Sequence, residues 1–225
     1  MFFIKSFRKK LHLNRVEYRD KSNMCIVHMP DGRTKYNPKY IKWVCIRFKG
    51  ANSVIEIWLS HKLNGSVFIL YNNDHFIINA GVAAEIFVIG SAGCSGGAVL
   101  NIGENSSLNN TKFYLNSCPG ASISLGKDCM FSTDVTLWAS DTHQITDCSS
   151  QLVINNRSGI IIGDHVWCGT RCTILKATEI LDNTVIGAAS VVSGKFDVGN
   201  VILAGNPARV IKSGIDWKRD SLPDK

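Results

Sequence analysis

The sequence predicts an all-β solenoid, a parallel β-helix, and three observations carry that prediction. The first is a six-residue period. From Ile162 onward every sixth residue is aliphatic or small: Ile162, Cys168, Ile174, Ile180, Ile186 and Val192. The fifth position of each hexad is compact as well, at Val166, Cys172, Thr178, Thr184 and Ser190. An amphipathic helix repeats its apolar residues every three or four positions and a half-buried strand every two, so neither produces this period. Stacked coils do, each hexad making one flat strand and one turn. The second observation is glycine directly after the first position, at Gly163, Gly169 and Gly187. The third is composition: charged residues are only 19% of the 225-residue chain, and glycine, with 19 copies, is frequent.

Upstream the period loosens without vanishing. Leu125, Phe131 and Leu137 continue the first position, with Cys129 and Val135 at the fifth. Ile102 and Leu108 keep the spacing before the register slips by one residue to Phe113. Earlier still, short β-rich runs lie between turn-formers: Val54-Ile55-Glu56-Ile57, Val67-Phe68-Ile69-Leu70, Phe76-Ile77-Ile78 and Ile86-Phe87-Val88-Ile89. Asn, Gly and Asp punctuate them as turns require. Residues 51–205 are therefore expected to form one solenoid, preceded by a basic arm and irregular lead-in over 1–50 and followed by a helical tail over 206–225. Residues 81–100 are nearly uncharged and about as long as a membrane span, but Glu85 and five glycines interrupt them. Stacked strands are the expectation there. The glycine cluster from Gly90 to Gly97 lacks the spacing of a dinucleotide or phosphate loop and reads as a turn.

The net charge of +7 is uneven. Lys5, Arg8, Lys9, Lys10, Arg15 and Arg19 crowd one end, and Arg209, Lys212, Lys218 and Arg219 the other. This suits anionic partners such as phosphates. No basic-aromatic motif accompanies it, so nucleic acid is not an expected partner. In the first sixteen residues Phe2, Phe3, Ile4, Phe7 and Leu11 alternate with cations, as in an amphipathic helix. That arm is expected to pack on the solenoid or on another subunit, with weak contact to an anionic membrane surface as the alternative. None of the eight cysteines forms a C-x-x-C pair. Cys129, Cys168 and Cys172 fall on interior hexad positions, so they read as small core residues and no metal is expected. Unpaired thiols and no cleavable signal point to a reducing cytosol.

The period breaks once, between residues 139 and 159, in a polar, turn-rich insertion that opens Ser140-Asp141-Thr142-His143. Long loops on rigid scaffolds concentrate function. His143 is the only histidine in this one, and imidazole is the side chain best matched to taking a proton near neutral pH. Asp141, two residues earlier, is the candidate to orient the ring.

Three segments then carry a specific resemblance: Gly126-Lys127-Asp128-Cys129-Met130-Phe131-Ser132 before the loop, Ser140-Asp141-Thr142-His143 opening it, and Ile162-Gly163-Asp164-His165-Val166-Trp167-Cys168-Gly169 after it. With Thr173-Ile174-Leu175-Lys176 and the closing Ala204-Gly205-Asn206-Pro207-Ala208-Arg209, the chain resembles the hexapeptide-repeat acyltransferases, close to those of bacterial capsule and O-antigen polysaccharides. The resemblance implies a left-handed β-helix, a homotrimer, acetyl-CoA as co-substrate in a groove between subunits, and a sugar acceptor. It implies that His143 is the general base and that Trp167, sixth in its hexad and so directed outward, walls the thioester site. Gly169, Thr170, Gly187 and Ala188 match small residues beside the pantetheine arm, and Arg209 and Lys212 match cations near the nucleotide phosphates. Lys195 is a further cofactor candidate, in a Ser193-Gly194-Lys195-Phe196 stretch that departs from the family's Thr-Lys-Asp-Ile-Pro. Trp138 stands where this group often has arginine, and an aromatic there suits stacking on a sugar ring. His165 faces outward in the same hexad as Trp167 but does not match the catalytic position.

The expected activity is acetyl transfer to a sugar hydroxyl of a capsular or O-antigen polysaccharide or its precursor. The expected location is the cytoplasm, including the inner face of the membrane. Two alternatives stay open: N-acetylation of a nucleotide-linked amino sugar, and a non-catalytic β-helix binding module. A γ-type carbonic anhydrase would need three zinc-binding histidines, and only His143 and His165 lie in the relevant stretch.

Overall fold

The computed structural model describes residues 14–59, 63–116, 118–155 and 159–220. Three sheets form the faces of a prism, and strands separated by two others in sequence are neighbours in a sheet, as successive coils require. The first face stacks Arg15–Glu17, Val44–Phe48, Ser66–Leu70, Phe87–Ile89, Lys112–Tyr114, Thr136–Trp138, Thr173–Ile174 and Val191–Val192. The second stacks Met24–His28, Val54–Trp58, His75–Ile78, Val99–Ile102, Ser122–Leu125, Ile160–Ile162, Thr178–Ile180 and Lys195–Phe196. The third stacks Leu63–Asn64, Val82–Ala84, Ser107–Asn109, Met130–Thr133, Trp167–Cys168, Val185–Ile186 and Val201–Gly205. Pairing between coils is parallel.

The rows read from the sequence are the core. Ile162, Cys168, Ile174, Ile180, Ile186 and Val192 are buried, and so are the fifth-position residues Val166, Cys172, Thr178, Thr184 and Ser190. The hydroxyls at the fifth position have a specific task. Thr178 Oγ1 donates to the Leu175 carbonyl at 2.6 Å, Thr184 Oγ1 to Leu181 at 2.8 Å and Ser190 Oγ to Gly187 at 2.7 Å. At these three corners a backbone carbonyl is met by the hydroxyl three residues farther on, which satisfies it where an alkyl group would offer no donor. Cys172 Sγ lies 3.1 Å from the Gly187 carbonyl of the next coil, which Ser190 Oγ also reaches.

Glycine after the first position has an equally local cause. A Cβ on Gly163 would lie 2.2 Å from the Asp182 carboxylate, which accepts the Asp164 amide of the adjacent coil at 2.8 Å. The bare glycine lets that carboxylate reach across the corner. Residues 81–100 are stacked strands, with Val82–Ala84, Phe87–Ile89 and Val99–Ile102 on three different faces. The turn after Gly90 closes on buried Asp74, which accepts the Tyr71, Ser91 and Ala98 amides at 2.8, 3.0 and 3.0 Å. No helix of the described residues is long and apolar enough to cross a membrane.

Both ends differ from expectation. The lead-in is not irregular: Arg15–Glu17, Met24–His28 and Val44–Phe48 join the sheets, so the prism begins near residue 15 rather than 51. Larger, less regular coils hide the six-residue period there. Of the amphipathic helix expected over the first sixteen residues, 1–13 lie outside the described residues, and Arg15 and Val16 are in a strand paired with Cys45 and Ile46. The described part of the tail, 206–220, is not helical either, and 221–225 lie outside the described residues. Ala208–Ser213 turns back antiparallel on Val201–Gly205 and closes the third face with a hairpin, capping its open edge.

Candidate active site

Three residues of the first face, Thr136–Trp138, lead into the insertion. Ala139 is the last core residue, its amide bonded to the Tyr114 carbonyl at 2.9 Å. Ser140 Oγ donates to the Asn116 carbonyl at 2.6 Å, fixing the first loop residue on the preceding coil. Farther out the loop folds on itself: Thr146 bridges Val153, and the Ile154 amide donates to the Ile145 carbonyl at 2.9 Å. At its tip the Asp147 carboxylate accepts the Ser149 and Ser150 hydroxyls at 2.6 and 2.9 Å. Those hydroxyls and amides, Ser149 first, hold its pKa well below the ordinary carboxylate value.

One side chain ties the limbs together. Asn155 Nδ2 donates to Asp141 Oδ2 at 2.7 Å and to the His143 carbonyl at 2.9 Å, while its Oδ1 accepts the Ile145 amide at 2.8 Å. Lys176, on the coil beyond the loop, donates to Asp141 Oδ2 at 2.8 Å and to the Asn155 carbonyl at 2.9 Å. The Lys176 and Asn155 hydrogen bonds depress the Asp141 pKa against the opposing effect of burial. Asp141 therefore does not orient the His143 ring as expected. Its carboxylate is engaged by Lys176 and Asn155, and what it fixes is the backbone on which His143 sits. The imidazole itself is exposed and has no hydrogen-bond partner among the described residues.

The ring borders an open cleft of about 500 Å³ lined by Trp138, Ser140, Asp141, Thr142, His143, Ile145, Thr173 and Leu175. Trp138 is stacked on Tyr114 with centroids 4.0 Å apart and planes at 8°. Tyr114 lies directly across from Trp138 in the parallel register, so the stack is built from successive coils. Phe87 meets Tyr114 at 6.0 Å. The stack fixes the indole, which lines the same cleft as His143. The cleft can hold a ring with C–H faces and present its hydroxyl to an imidazole.

The other expected residues separate into groups. Trp167 is 37% exposed on the third face, paired across to Val185, which pairs to Ile202. Gly169-Thr170 and Gly187-Ala188 occupy the corner between third and first faces on successive coils, opposite the edge that carries the loop. Their glycines have a packing cause: a Cβ on Gly169 would lie 2.7 Å from the Ala188 amide nitrogen, and one on Gly187 would lie 3.0 Å from Ala204 Cβ. Arg209 and Lys212 are exposed on the closing hairpin, opposite Ala204 and Ile202. Lys195 stands apart from these. It lies on the second face, paired with Glu179 at 2.5 Å, away from the corner that carries the other cofactor candidates. Cys168 and Cys172 are in the stacked core rows. Within one chain, Trp138, Asp141 and His143 come together; Trp167 and the small-residue corner do not join them.

Tyr114, Asn155 and Lys176 were not among the sequence candidates. Tyr114 was accessible in principle, one coil before Trp138. Lys176 stood in a matched segment without a role of its own and Asn155 in no matched segment, because what both do depends on how the loop folds back.

No protein-family model matches the chain. It is 38% identical over 98 residues, 43% of its own length and 31% of the relative's, to a polysialic acid O-acetyltransferase of Escherichia coli O1:K1 / APEC. It is 39% identical over 97 residues, 43% of its length and 45% of the relative's, to a polysialic acid O-acetyltransferase of Neisseria meningitidis. The matched segment thus spans less than half of either relative. Among solved structures, the polySia-specific acetyltransferase NeuO superposes with a TM-score of 0.73 over 91% of this chain and 88% of that one, at 24% identity. That last likeness is one of fold. The six-residue repeat, the three-sheet parallel prism and these matches together give the chain the parallel β-helix fold of the hexapeptide-repeat acyltransferases and a sequence similarity to the polysialic acid O-acetyltransferases over 43% of its length.

Proposed function

We propose that the protein transfers an acetyl group from acetyl-CoA to a hydroxyl of a capsular or O-antigen sugar, with His143 as general base. The observation that carries this reading is the His143 imidazole, exposed and free of hydrogen bonds among the described residues, at the lip of the Trp138 cleft. A sugar stacked on the indole would offer its hydroxyl to the imidazole. The ring takes the proton as the oxygen attacks the thioester carbonyl. The tetrahedral oxyanion collapses, the C–S bond breaks, and the imidazolium returns its proton to the departing CoA thiolate. Trp167 is the proposed wall of the thioester site, where oxyanion donors are needed.

The donor belongs, in this reading, along Trp167, Thr170 and Ala188 toward Lys212 and Arg209. From Trp167 through Val185 and Ile202 to Lys212 the sheet crosses three strand spacings, about 14 Å, so an extended molecule can place a thioester at one end and phosphates at the cations. The small-residue corner and the His143 loop lie on opposite edges of the first face. We infer that a homotrimer joins the loop of one copy to the corner of the next, in the cytoplasm or at the inner membrane face.

The test is a screen of glycan acceptors with labelled acetyl-CoA, followed by mild alkali. An alkali-labile product is expected, as for an ester. A base-stable amide would move the protein to amino-sugar N-acetylation, and absence of transfer with intact CoA binding would favour a binding module.

A further inference from the structure

We propose that Trp217 is a positioning residue for the acyl-donor corner, held against Trp167 by a lock that His165 and Arg219 close. The proposal rests on the reading that Trp167 borders the acetyl-CoA site. After Ser213 the chain returns along the third face, and Ile215 exchanges two hydrogen bonds with Asn200, at 3.0 and 3.1 Å. Its neighbours Asp216 and Lys218 are exposed, yet Trp217 is only 6% exposed. Its ring lies flat on His165, with centroids 4.1 Å apart and planes at 12°, and meets Trp167 at 6.0 Å and 45°.

The contact with His165 is reciprocal. Trp217 Nε1 donates to the His165 carbonyl at 2.8 Å, and His165 Nε2 faces the Trp217 carbonyl at 2.9 Å. The other ring nitrogen, Nδ1, faces Asp128 Oδ2 at 2.6 Å. Both partners of the imidazole are therefore acceptors. A neutral imidazole has one N–H and can serve one of them; the imidazolium serves both. Arg219 closes the far side: Nε donates to Asp128 Oδ1 at 2.8 Å, and the other nitrogens to Ser107 Oγ at 2.9 Å and to the Cys129 and Asp128 carbonyls at 3.0 and 3.1 Å. The guanidinium also lies 5.7 Å from the Trp217 ring. One strap thus spans the coils of Ser107, Asp128 and His165.

A packing role alone would not need Trp167 beside it. Trp167 stands on a two-residue strand with more than a third of its surface exposed, so its indole can present a fixed wall only if something holds it. Trp217 is the ring in contact. The charges facing His165 are Asp128 on the preceding coil and Asp216 on the tail, with Asp216 Oδ1 3.7 Å from Nε2. Arg219 shares Asp128, and Asp164, next in sequence, accepts the Lys127 amide at 2.7 Å. Burial disfavours the His165 charge, but the Trp217 carbonyl, Asp128 and Asp216 outweigh it and raise the pKa above the ordinary value. Loss of that proton removes one of the two hydrogen bonds and loosens the strap, which Trp217 Nε1 and Arg219 still hold.

The test uses the full chain, coenzyme A as probe and calorimetry as readout, with light scattering to check assembly. Trp217→Ala is expected to weaken CoA about tenfold, which corresponds to about 1.4 kcal/mol, and to speed hydrogen exchange over residues 165–168. Trp217→Phe, which keeps a ring over His165, is expected to retain most of the affinity. Dephospho-CoA affinity of the native protein, chosen because that ligand lacks the 3′-phosphate that titrates nearby, should fall as pH rises from 6.5 to 8.5, and His165→Gln should flatten the profile. Undiminished CoA affinity in Trp217→Ala, or loosening of residues 165–168 without any loss of affinity, would overturn the positioning role alone. A native protein that binds no CoA would overturn the donor reading on which the role rests.

Discussion

The side-chain amide of Asn155 holds Asp141 from the opposite limb of the loop, Nδ2 to Oδ2 at 2.7 Å, and reaches the His143 carbonyl from the same nitrogen. With Lys176 on the same carboxylate, the loop carrying His143 is tied to the rigid coil beneath it. Displacement of a reacting group by about 1 Å costs on the order of a hundredfold in rate. Asn155→Ala and Lys176→Met are therefore expected to lower kcat by roughly ten- to a hundredfold with CoA affinity unchanged. Lys176→Arg, which keeps the charge, should recover part of it. Equal losses in kcat and CoA affinity would show that the clip supports the whole coil and not the base.

His143→Ala is expected to lose on the order of 10²–10⁴ in turnover, the usual contribution of a positioned general base. Assembly and CoA binding should persist, because the exposed ring makes no hydrogen bond among the described residues. Steady-state rates on a purified, correctly assembled variant decide this. Turnover within a fewfold of the native protein would remove His143 from the chemistry.

Trp138→Ala leaves Tyr114 without its stacking partner and the cleft without its aromatic wall. The acceptor KM should rise by about tenfold or more, in line with the 0.5–1.5 kcal/mol of an aromatic contact beyond its area plus the buried surface lost. The KM for acetyl-CoA should not move. Trp138→Phe should fall between, since a smaller ring keeps the stack.

Protection of the Trp217 strap depends on pH with a defined sign. His165 has a folded value above its ordinary 6.5, so its contribution is complete below about 6.5 and is lost as pH rises through the raised value. Asp128 works in the opposite direction. Burial alone would raise its pKa, but hydrogen bonds from His165 and Arg219 outweigh that and hold it below 3.8. Its contribution is present above 3.8 and disappears as pH falls through the lowered value. Protection of residues 215–219 against hydrogen exchange, taken relative to the intrinsic exchange rate at each pH, should be greatest between those limits. An alkaline arm that survives in His165→Gln would assign the dependence to another group.

Light scattering is expected to return a trimer, because the His143 loop and the small-residue corner lie on opposite edges of one face and a shared site is how both reach one substrate pair. Arg209→Ala should weaken CoA more than dephospho-CoA. Equal losses would place Arg209 away from the 3′-phosphate, and a monomer with full activity would refute the shared site.

The sequence by itself determined the repeat and therefore the core. A six-residue period leaves one way to bury Ile162, Cys168, Ile174 and their successors together, namely coil upon coil, with the compact fifth-position residues buried beside them. It also determined where the period stops, which located His143, and that Trp167 points outward. It did not reveal the coils over residues 15–48, because longer turns there destroy the spacing while parallel pairing survives. Only the tertiary structure decided who holds Asp141, since proximity in sequence favoured His143 while the folded loop brought Lys176 and Asn155 closer. Only it set Lys195 on a different face from the cofactor candidates, because three faces separate residues a few positions apart. And only it turned His165 from a spare outward histidine into the lock of a strap fifty-two residues away in sequence. A repeat is written locally and can be read locally; these contacts join different coils, and their distances exist only once the coils are stacked.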